Sequence, residues 1–460
     1  MMKTLRFGLL AAALLGLGQA AHATCPVDGA TPFTAGPVDP VNGFATYLQD
    51  SEGLALELCL DSTPPGSGNP PNCFFDPPIP GDPFTQANGF GAEGFWWLAQ
   101  PVFGAGPNSP PLPLGLDAAV LVLGAEAAFV NPVPAPGEQF PFTRLRIRLG
   151  VLSAGYYRVT HPYGQQVYYI PFPVGGGGRL DVNDSFDIQF QPNAVNQGRV
   201  GPWLSWDPAV LPAAPAGYIG DGATPHPVVG SPCATNYFKI EAFSDAALTV
   251  PVPIEVGDPG GDGSNVVQVN DFTVVGKLFT GGPLPTPLVV DQTTYSRAND
   301  GRVNVFATAP TTASLSFSGG GNIPAGPQAM TGDGSGRYFA SAALTPDASA
   351  LPASMQVTAD NSATNPDNNP NSVNSALVDV VTISRAEYDK ATGTLTIEAS
   401  SSDRSPTSPP TLTASGGLGA LTNGALVPPP ILTVAPASVT VTSGAGGSDT
   451  QPVTIINPVP

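Results

Sequence analysis

Along most of this chain apolar and polar residues alternate in short runs, cut by glycine and proline. Alternation with period two marks a strand with one buried face. Ten such runs fall before residue 282: 43–49, 54–60, 94–100, 118–130, 143–149, 156–161, 166–172, 185–190, 237–243 and 272–279. Amphipathic patterns of helical period are almost absent, and the best helix former is the Leu/Ala run at the very start. The 54 glycines and 55 prolines supply the turns that many short strands require. With 42% apolar residues the chain can bury a core, so disorder is the weaker reading. The fold class expected is all-β: a large N-terminal β-sandwich, as one unit or two subdomains, over residues 24–282.

The remainder carries an internal repeat. Ser296-Arg297-Ala298 and Ser384-Arg385-Ala386 each precede a turn and an alternating strand. Pro352-Ala353-Ser354 and Pro436-Ala437-Ser438 each open a strand rich in Val and Thr. A helix-free repeat of this length matches an immunoglobulin-like sandwich. Two modules are therefore expected, at 283–372 and 373–460, with the Asn/Asp/Pro-rich segment from Asp360 to Asn374 as their linker.

The N-terminus changes the setting. Lys3 and Arg6 precede an apolar stretch from Phe7 to Gly18 and the small-residue site Ala21-His22-Ala23. This reads as a signal peptide over residues 1–23, too short to span a bilayer permanently, and places the protein outside the cytoplasm, extracellular or periplasmic. After cleavage the histidines are His161 and His226, and the lysines Lys239, Lys277 and Lys390. So few nucleophiles and bases disfavour an elaborate active site. The net charge of −19 disfavours nucleic acid and anionic membrane surfaces as partners. Arg144, Arg146 and Arg148 alternate with Leu145, Ile147 and Leu149, which reads as a strand with a solvated arginine face or as a strip for an anionic polymer.

Four cysteines in an oxidising compartment pair most simply as two disulfides. Cys59 and Cys73 flank a Pro/Gly-rich loop, and closing it is worth about 3 kcal/mol in the chain-entropy model. Cys25 then pairs with Cys233.

Several motifs carry a resemblance: Leu54-Ala55-Leu56-Glu57-Leu58-Cys59, Phe95-Trp96-Trp97, Tyr157 to Gly164, Val200-Gly201-Pro202-Trp203-Leu204-Ser205-Trp206 and Asn236 to Glu241. Together they resemble a group of uncharacterised secreted bacterial proteins in which a similar N-terminal region precedes immunoglobulin-like repeats. The resemblance covers most of residues 40–280 and, more loosely, the tail. It implies export and β architecture, and carries over no catalytic residue.

Candidate chemistry is sparse. Asp181, Asn183, Asp184 and Asp187, and separately Asp258, Asp262 and Asn265, are oxygen ligands on turns, a donor type that suits calcium as an optional stabiliser; solvated turn carboxylates are the plainer reading. His161 and His226 are too few for a transition-metal site without added carboxylates. Gly332-Asp333-Gly334-Ser335-Gly336 is out of register for a nucleophile elbow and reads as a hairpin turn. Aromatic residues give the best case for binding. In adjacent pairs on a strand one ring packs inward and its neighbour outward. Trp96, Trp97, Tyr157, Tyr169, Trp203 and Trp206 are thus candidates to stack on sugars or anchor a protein, against the alternative of an aromatic core. The reading is an exported, non-enzymatic binding or structural protein whose N-terminal domain meets an extracellular polymer or a surface protein, with the modules as spacers. The alternatives are an acid-catalysed hydrolase of an extracellular polymer and a purely structural matrix component.

Overall fold

The computed structural model describes residues 31–62, 72–104, 109–174, 176–254, 264–297, 301–320, 323, 326–344, 351–405 and 408–457. Residues 1–23, read as a signal peptide, lie outside these residues. The chain is almost entirely β, as the alternation predicts.

The N-terminal unit contains β1 (Thr31–Ala35), β2 (Leu48–Gln49), β3 (Ala55–Glu57), a short helix α1 (Pro83–Asn88), β4 (Glu93–Pro101), β5 (Leu116–Phe129), β6 (Gln139–Val151), β7 (Gly155–His161), β8 (Gly164–Ile170), β9 (Val182–Gln189), β10 (Ala194–Gly198), β11 (Ser205–Trp206), β12 (His226–Val229), β13 (Phe238–Phe243), β14 (Val266–Val269) and β15 (Asp271–Leu278). The large sheet runs β10-β1-β2-β3-β15-β4-β5-β6-β9, and the smaller one β14-β13-β7-β8. The edge strands of the large sheet, β9 and β10, are consecutive in sequence, so the sheet curls back on itself. In β6, Leu145, Ile147 and Leu149 are buried while the alternating arginines face out. Asp82 caps α1 by accepting the Phe84 N–H, and Gly89 at φ +85 closes it. Cys59 and Cys73 form the expected disulfide and sit in a small core with Phe95, Leu98 and Val275 on the second face of β4. Cys233 is also disulfide-bonded; its expected partner Cys25 lies outside the described residues.

The first module contains β16 (Leu284–Pro285), β17 (Val289–Ser296), β18 (Arg302–Thr308), β19 (Ser314–Ser318), β20 (Gln328–Ala329), β21 (Thr331–Gly332), β22 (Arg337–Ala343), β23 (Ser354–Asp360), β24 (Asn368–Asn369), β25 (Asn371–Ala376) and β26 (Val378–Asp379). Its sheets, β21-β22-β18-β17-β26 and β20-β19-β23-β25, enclose a core built on Val303, Val305, Phe317, Met355 and Val357. The second module contains β27 (Val381–Asp389), β28 (Thr394–Ser401), β29 (Leu412–Ala414), β30 (Gly419–Ala420), β31 (Ser438–Ser443), β32 (Ser448–Pro452) and β33 (Thr454–Ile456), with a core on Leu395, Ile397, Val439 and Val441. In each module the last strand runs parallel to the first long one, β26 on β17 and β33 on β27.

The structure shifts one repeat marker. Tyr295 pairs with Val303 and Tyr388 with Leu395, so Tyr295-Ser296-Arg297-Ala298 corresponds to Tyr388-Asp389-Lys390-Ala391 rather than to the second Ser-Arg-Ala triplet. The segment from Asp360 to Asn374 is also not a linker between the modules. Its later part pairs with β23 inside the first module, whose core runs on to Leu377, and the next core begins at Val381.

What that segment does is lock the first module to the N-terminal unit. The tip of the β2–β3 hairpin, Asp50 to Leu54, enters its loop. Asn361 and Asn365 donate to the carbonyls of Glu52 and Gly53 at 3.2 and 3.0 Å, and Gln49 donates to Asn368 Oδ1 at 3.0 Å. Thr311 donates its N–H and hydroxyl to Glu52 Oε2, each at 2.9 Å. The second junction reuses the equivalent loops. Ser402 and Asp403, after β28, bond to Tyr295 and Arg297, and the β31–β32 turn places Gly447 N–H on Asp379 Oδ1 at 2.9 Å.

Gly53 sits at φ +90, and a Cβ there would lie 2.1 Å from Asn368 Nδ2. Gly53→Ala is expected to impose about 1–2 kcal/mol of left-handed strain and to displace Asn368. Its predicted result is a lower melting temperature and a broader small-angle-scattering distance distribution. If both stay unchanged, the joint is held elsewhere.

Candidate functional site

An exposed aromatic pair lies on the smaller sheet of the N-terminal unit, because β7 and β8 alternate inward and outward there. Tyr157 and Val159 point into the core. Tyr156 on β7 pairs with Tyr169 on β8, their rings stacked at 4.5 Å and 24°. Tyr169 is 60% exposed. The next outward row is Val167, Arg158 and Glu241: Arg158 clasps the Glu241 carboxylate with two 2.8 Å bonds, and Lys239 lies 3.3 Å from it. Those cations outweigh the burial of Glu241 and hold its carboxyl below the usual range. Arg158 also lies over the Phe243 ring at 5.1 Å. The face thus joins a rigid tyrosine pair to an ion-paired rim.

Of the six aromatic candidates, Tyr169 alone is on this surface. Trp96, Trp97, Trp203, Trp206 and Tyr157 are core residues with at most 5% exposure. The alternation argument fails at Trp96-Trp97 because a β-bulge between Phe95 and Trp97 turns both indoles inward. Trp96 donates to the Ala45 carbonyl and Trp97 to that of Leu204. Burial pushes the Tyr157 hydroxyl up to about 12, reinforced by Asp181, and the hydroxyl donates to the Ser153 carbonyl at 2.7 Å.

The carboxylates after residue 180 do not converge. Asp187 pairs with Arg144 through two 2.8 Å bonds, and Asn183 accepts from Arg148 at 2.9 Å. Ser185 accepts from Arg146, which completes a cross-strand ladder. Asp184 lies on the opposite face, where it accepts the Tyr168 hydroxyl, and Asp181 accepts the N–H groups of Val151 and Val174. The arginine face is therefore part-exposed, as a strand with an outward arginine row implies, and each guanidinium has a partner along β9. Among the described residues no three His, Cys, Asp or Glu side chains gather as a metal site. Asp258 and Asp262 lie outside the described residues.

His161 and His226 serve separate structural contacts. His161 Nδ1 accepts the Tyr163 N–H, so Nε2–H donates to Gln166 at 2.7 Å; burial lowers its pKa to about 4. His226 stacks on Trp206 at 4.4 Å, with Nδ1 on the Pro227 carbonyl.

One acidic feature escapes a sequence reading. Glu126 on β5 is 1% exposed and bonds Arg144 at 2.8 Å, with room made for it by Gly124, where a Cβ would lie 2.8 Å from Glu126 Oε1. Burial, opposed by Arg144 and reinforced by Glu93, pushes its carboxyl up to about 8. A proton donor of that acidity suits acid catalysis, but this one is sealed beneath the sheet surface and has no route to a polymer. Its only signal in the sequence is a lone acid in the apolar run of β5.

No protein family matches this chain, and a search of curated proteins also finds no match. Among solved structures the chain is similar to the N-terminal eight immunoglobulin domains of Down Syndrome Cell Adhesion Molecule isoform 1.30.30, at 11% identity and a TM-score of 0.15, over 72% of this chain and 55% of that one. It is also similar to immunoglobulin domains 1–4 of Sidekick-1, at 8% identity and a TM-score of 0.15, over 78% of this chain and 99% of that one. The chain thus spans about half the length of the first of these.

Two predictions follow from burial. Trp97→Ala is expected to cost about 3–5 kcal/mol in urea denaturation, whereas Tyr169→Ala leaves the midpoint unchanged; equal effects would refute the assignment of core and surface. Glu126 holds its proton up to about pH 8 when folded but only to its ordinary 4.5 when unfolded, so stability falls as pH rises through that window. Asp50, pushed up to about 7 by burial, adds a slope of the same sign. Glu126→Gln is expected to flatten the decline in melting temperature between pH 4.5 and 8, and an unaltered slope would exclude Glu126 as its source.

Proposed function

We propose that this chain is an exported, non-enzymatic binding protein, in which the N-terminal unit presents a ligand surface and the two modules act as a stiff spacer. The observation that carries this reading is the pair of hydrogen-bonded junctions, built twice from equivalent loops, which hold three units in fixed relation. Rigid presentation serves binding, because no ordering cost is left to be met when the partner arrives. The outward tyrosine pair and its charged rim supply a contact surface in the N-terminal unit. The basic, apolar and small-residue pattern up to Ala23 and the Cys59–Cys73 disulfide support an extracellular or periplasmic location. Among the described residues no helix is long and apolar enough to cross a membrane. The partner class is an extracellular polymer or a surface protein.

The test uses the labelled exported chain, residues 24–460, on extracellular polymer fractions and on intact and protease-treated cells. Saturable retention without release of reducing ends is expected. Polymer cleavage would overturn the non-enzymatic reading, and no retention on any surface would overturn binding.

A further inference from the structure

The junction between the N-terminal unit and the first module leaves a cleft of about 630 Å³, within the range of small-ligand sites, which favour domain interfaces. One wall carries Glu52 and Ser231, with Pro202 and Pro232 beside them; the other carries Thr308, Ser335 and Arg337. Thr308 and Arg337 form a cross-strand pair on the outward face of β18 and β22. The next pair on that face is Phe306 with Phe339, since outward positions recur every second residue. Their rings lie 4.8 Å apart and are 40% and 43% exposed on a face otherwise made of Arg302, Asn304 and Ser341. A solvent-facing aromatic pair therefore lies one outward row beyond the cleft wall.

We propose that this cleft and the Phe306–Phe339 platform bind a segment of an uncharged polysaccharide; the proposal rests on the binding reading above and gives that reading a second site and a ligand class. The Glu52 carboxylate on one wall and the Arg337 guanidinium on the other offer an acceptor and donors to a sugar ring. The Thr308 and Ser335 hydroxyls, which donate to Asp291 and Asp333, keep acceptor capacity, while that of Ser231 is spent on Pro162, Cys233 and Thr235. Proline rings and an exposed phenylalanine pair offer flat apolar surface to its C–H faces. A polyanion is disfavoured by the chain's net charge of −19. Arg337, with its side chain 69% exposed and its Nε bonded to Asp333 at 2.8 Å, is held at the mouth of the cleft.

Native electrophoresis of residues 24–460 through gels containing laminarin, galactomannan, xyloglucan or dextran tests the proposal. Retardation by at least one polymer is expected, reduced at least tenfold in apparent affinity by Phe306→Ala with Phe339→Ala and at least fivefold by Arg337→Ala. Ser335→Trp, which obstructs the cleft without removing a core contact, should also abolish it, and Leu211→Ala, at an exposed side chain outside the cleft lining, should not. If the paired phenylalanine variant melts early, Ser335→Trp and Arg337→Ala decide alone. Retardation that survives these substitutions, or is lost only in Tyr169→Ala, overturns the cleft while leaving a binding protein. Free migration in all four gels by a chain still retained on cells overturns the polysaccharide proposal and leaves the broader reading in place.

Discussion

The Asp50 carboxylate is the point on which the arrangement of the units depends. It accepts N–H groups from Glu52 and Leu54 within its own hairpin and from Trp203 across the core, at 3.0, 2.9 and 2.8 Å. A buried acid is costly unless its lone pairs are met, and three backbone donors meet them here. The result is a hairpin tip clamped at its base to the tryptophan-rich core and free at its crown to enter the first module. Because Asn361 and Asn368 are themselves 1% and 2% exposed, the crown is received by a polar socket closed to water. Such a socket fixes one register of approach, whereas an apolar seam would tolerate sliding.

A chain almost without helices must also dispose of its strand edges. The N-terminal unit does so by curling, which leaves its two end strands, β9 and β10, joined by a short connection. The modules do so differently from each other. In the first, β22 lies along β18. In the second, the counterpart of β18 is β28, and a proline-rich stretch lies along it: Leu395 N–H reaches the Pro430 carbonyl, and Ala399 N–H that of Gly424. Pro428, Pro429 and Pro430 have no N–H to offer outward, so the covered edge cannot recruit another strand. The modules thus share their junction loops and diverge in the sheet that faces solvent, where the first carries the phenylalanine pair and the second carries none.

The architecture was readable because period-two alternation survives tertiary packing: Leu145, Ile147 and Leu149 go in and the arginines between them go out. The site was not readable from the same signal. Alternation states that Tyr156 and Tyr157 face opposite ways without saying which way is out, and it is Tyr157 that is buried. At Trp96 and Trp97 a bulge suspends the rule, and a second small core beside the disulfide covers the other face of the strand. Asp181, Asp184 and Asp187 are close in sequence, but a strand sends Asp184 and Asp187 to opposite faces and gives each its own partner. The segment from Asp360 to Asn374 is ambiguous for a related reason: a composition of Asn, Asp and Pro suits a solvated tether and equally a loop whose amides are spent on a neighbouring domain.

The same amides connect architecture to function. A loose string of sandwiches would present any surface in many orientations, and a polymer bound at one unit would gain nothing from the next. Here the hairpin tip fixes the N-terminal unit against the first module, and the gap between them becomes a cleft of constant shape rather than a hinge. Its walls come from two separately folded units, so neither would form it alone. Polar locking at the junction is thus the condition for a surface continuous across domains, which links the buried Asp50, the asparagine socket and the exposed phenylalanine pair.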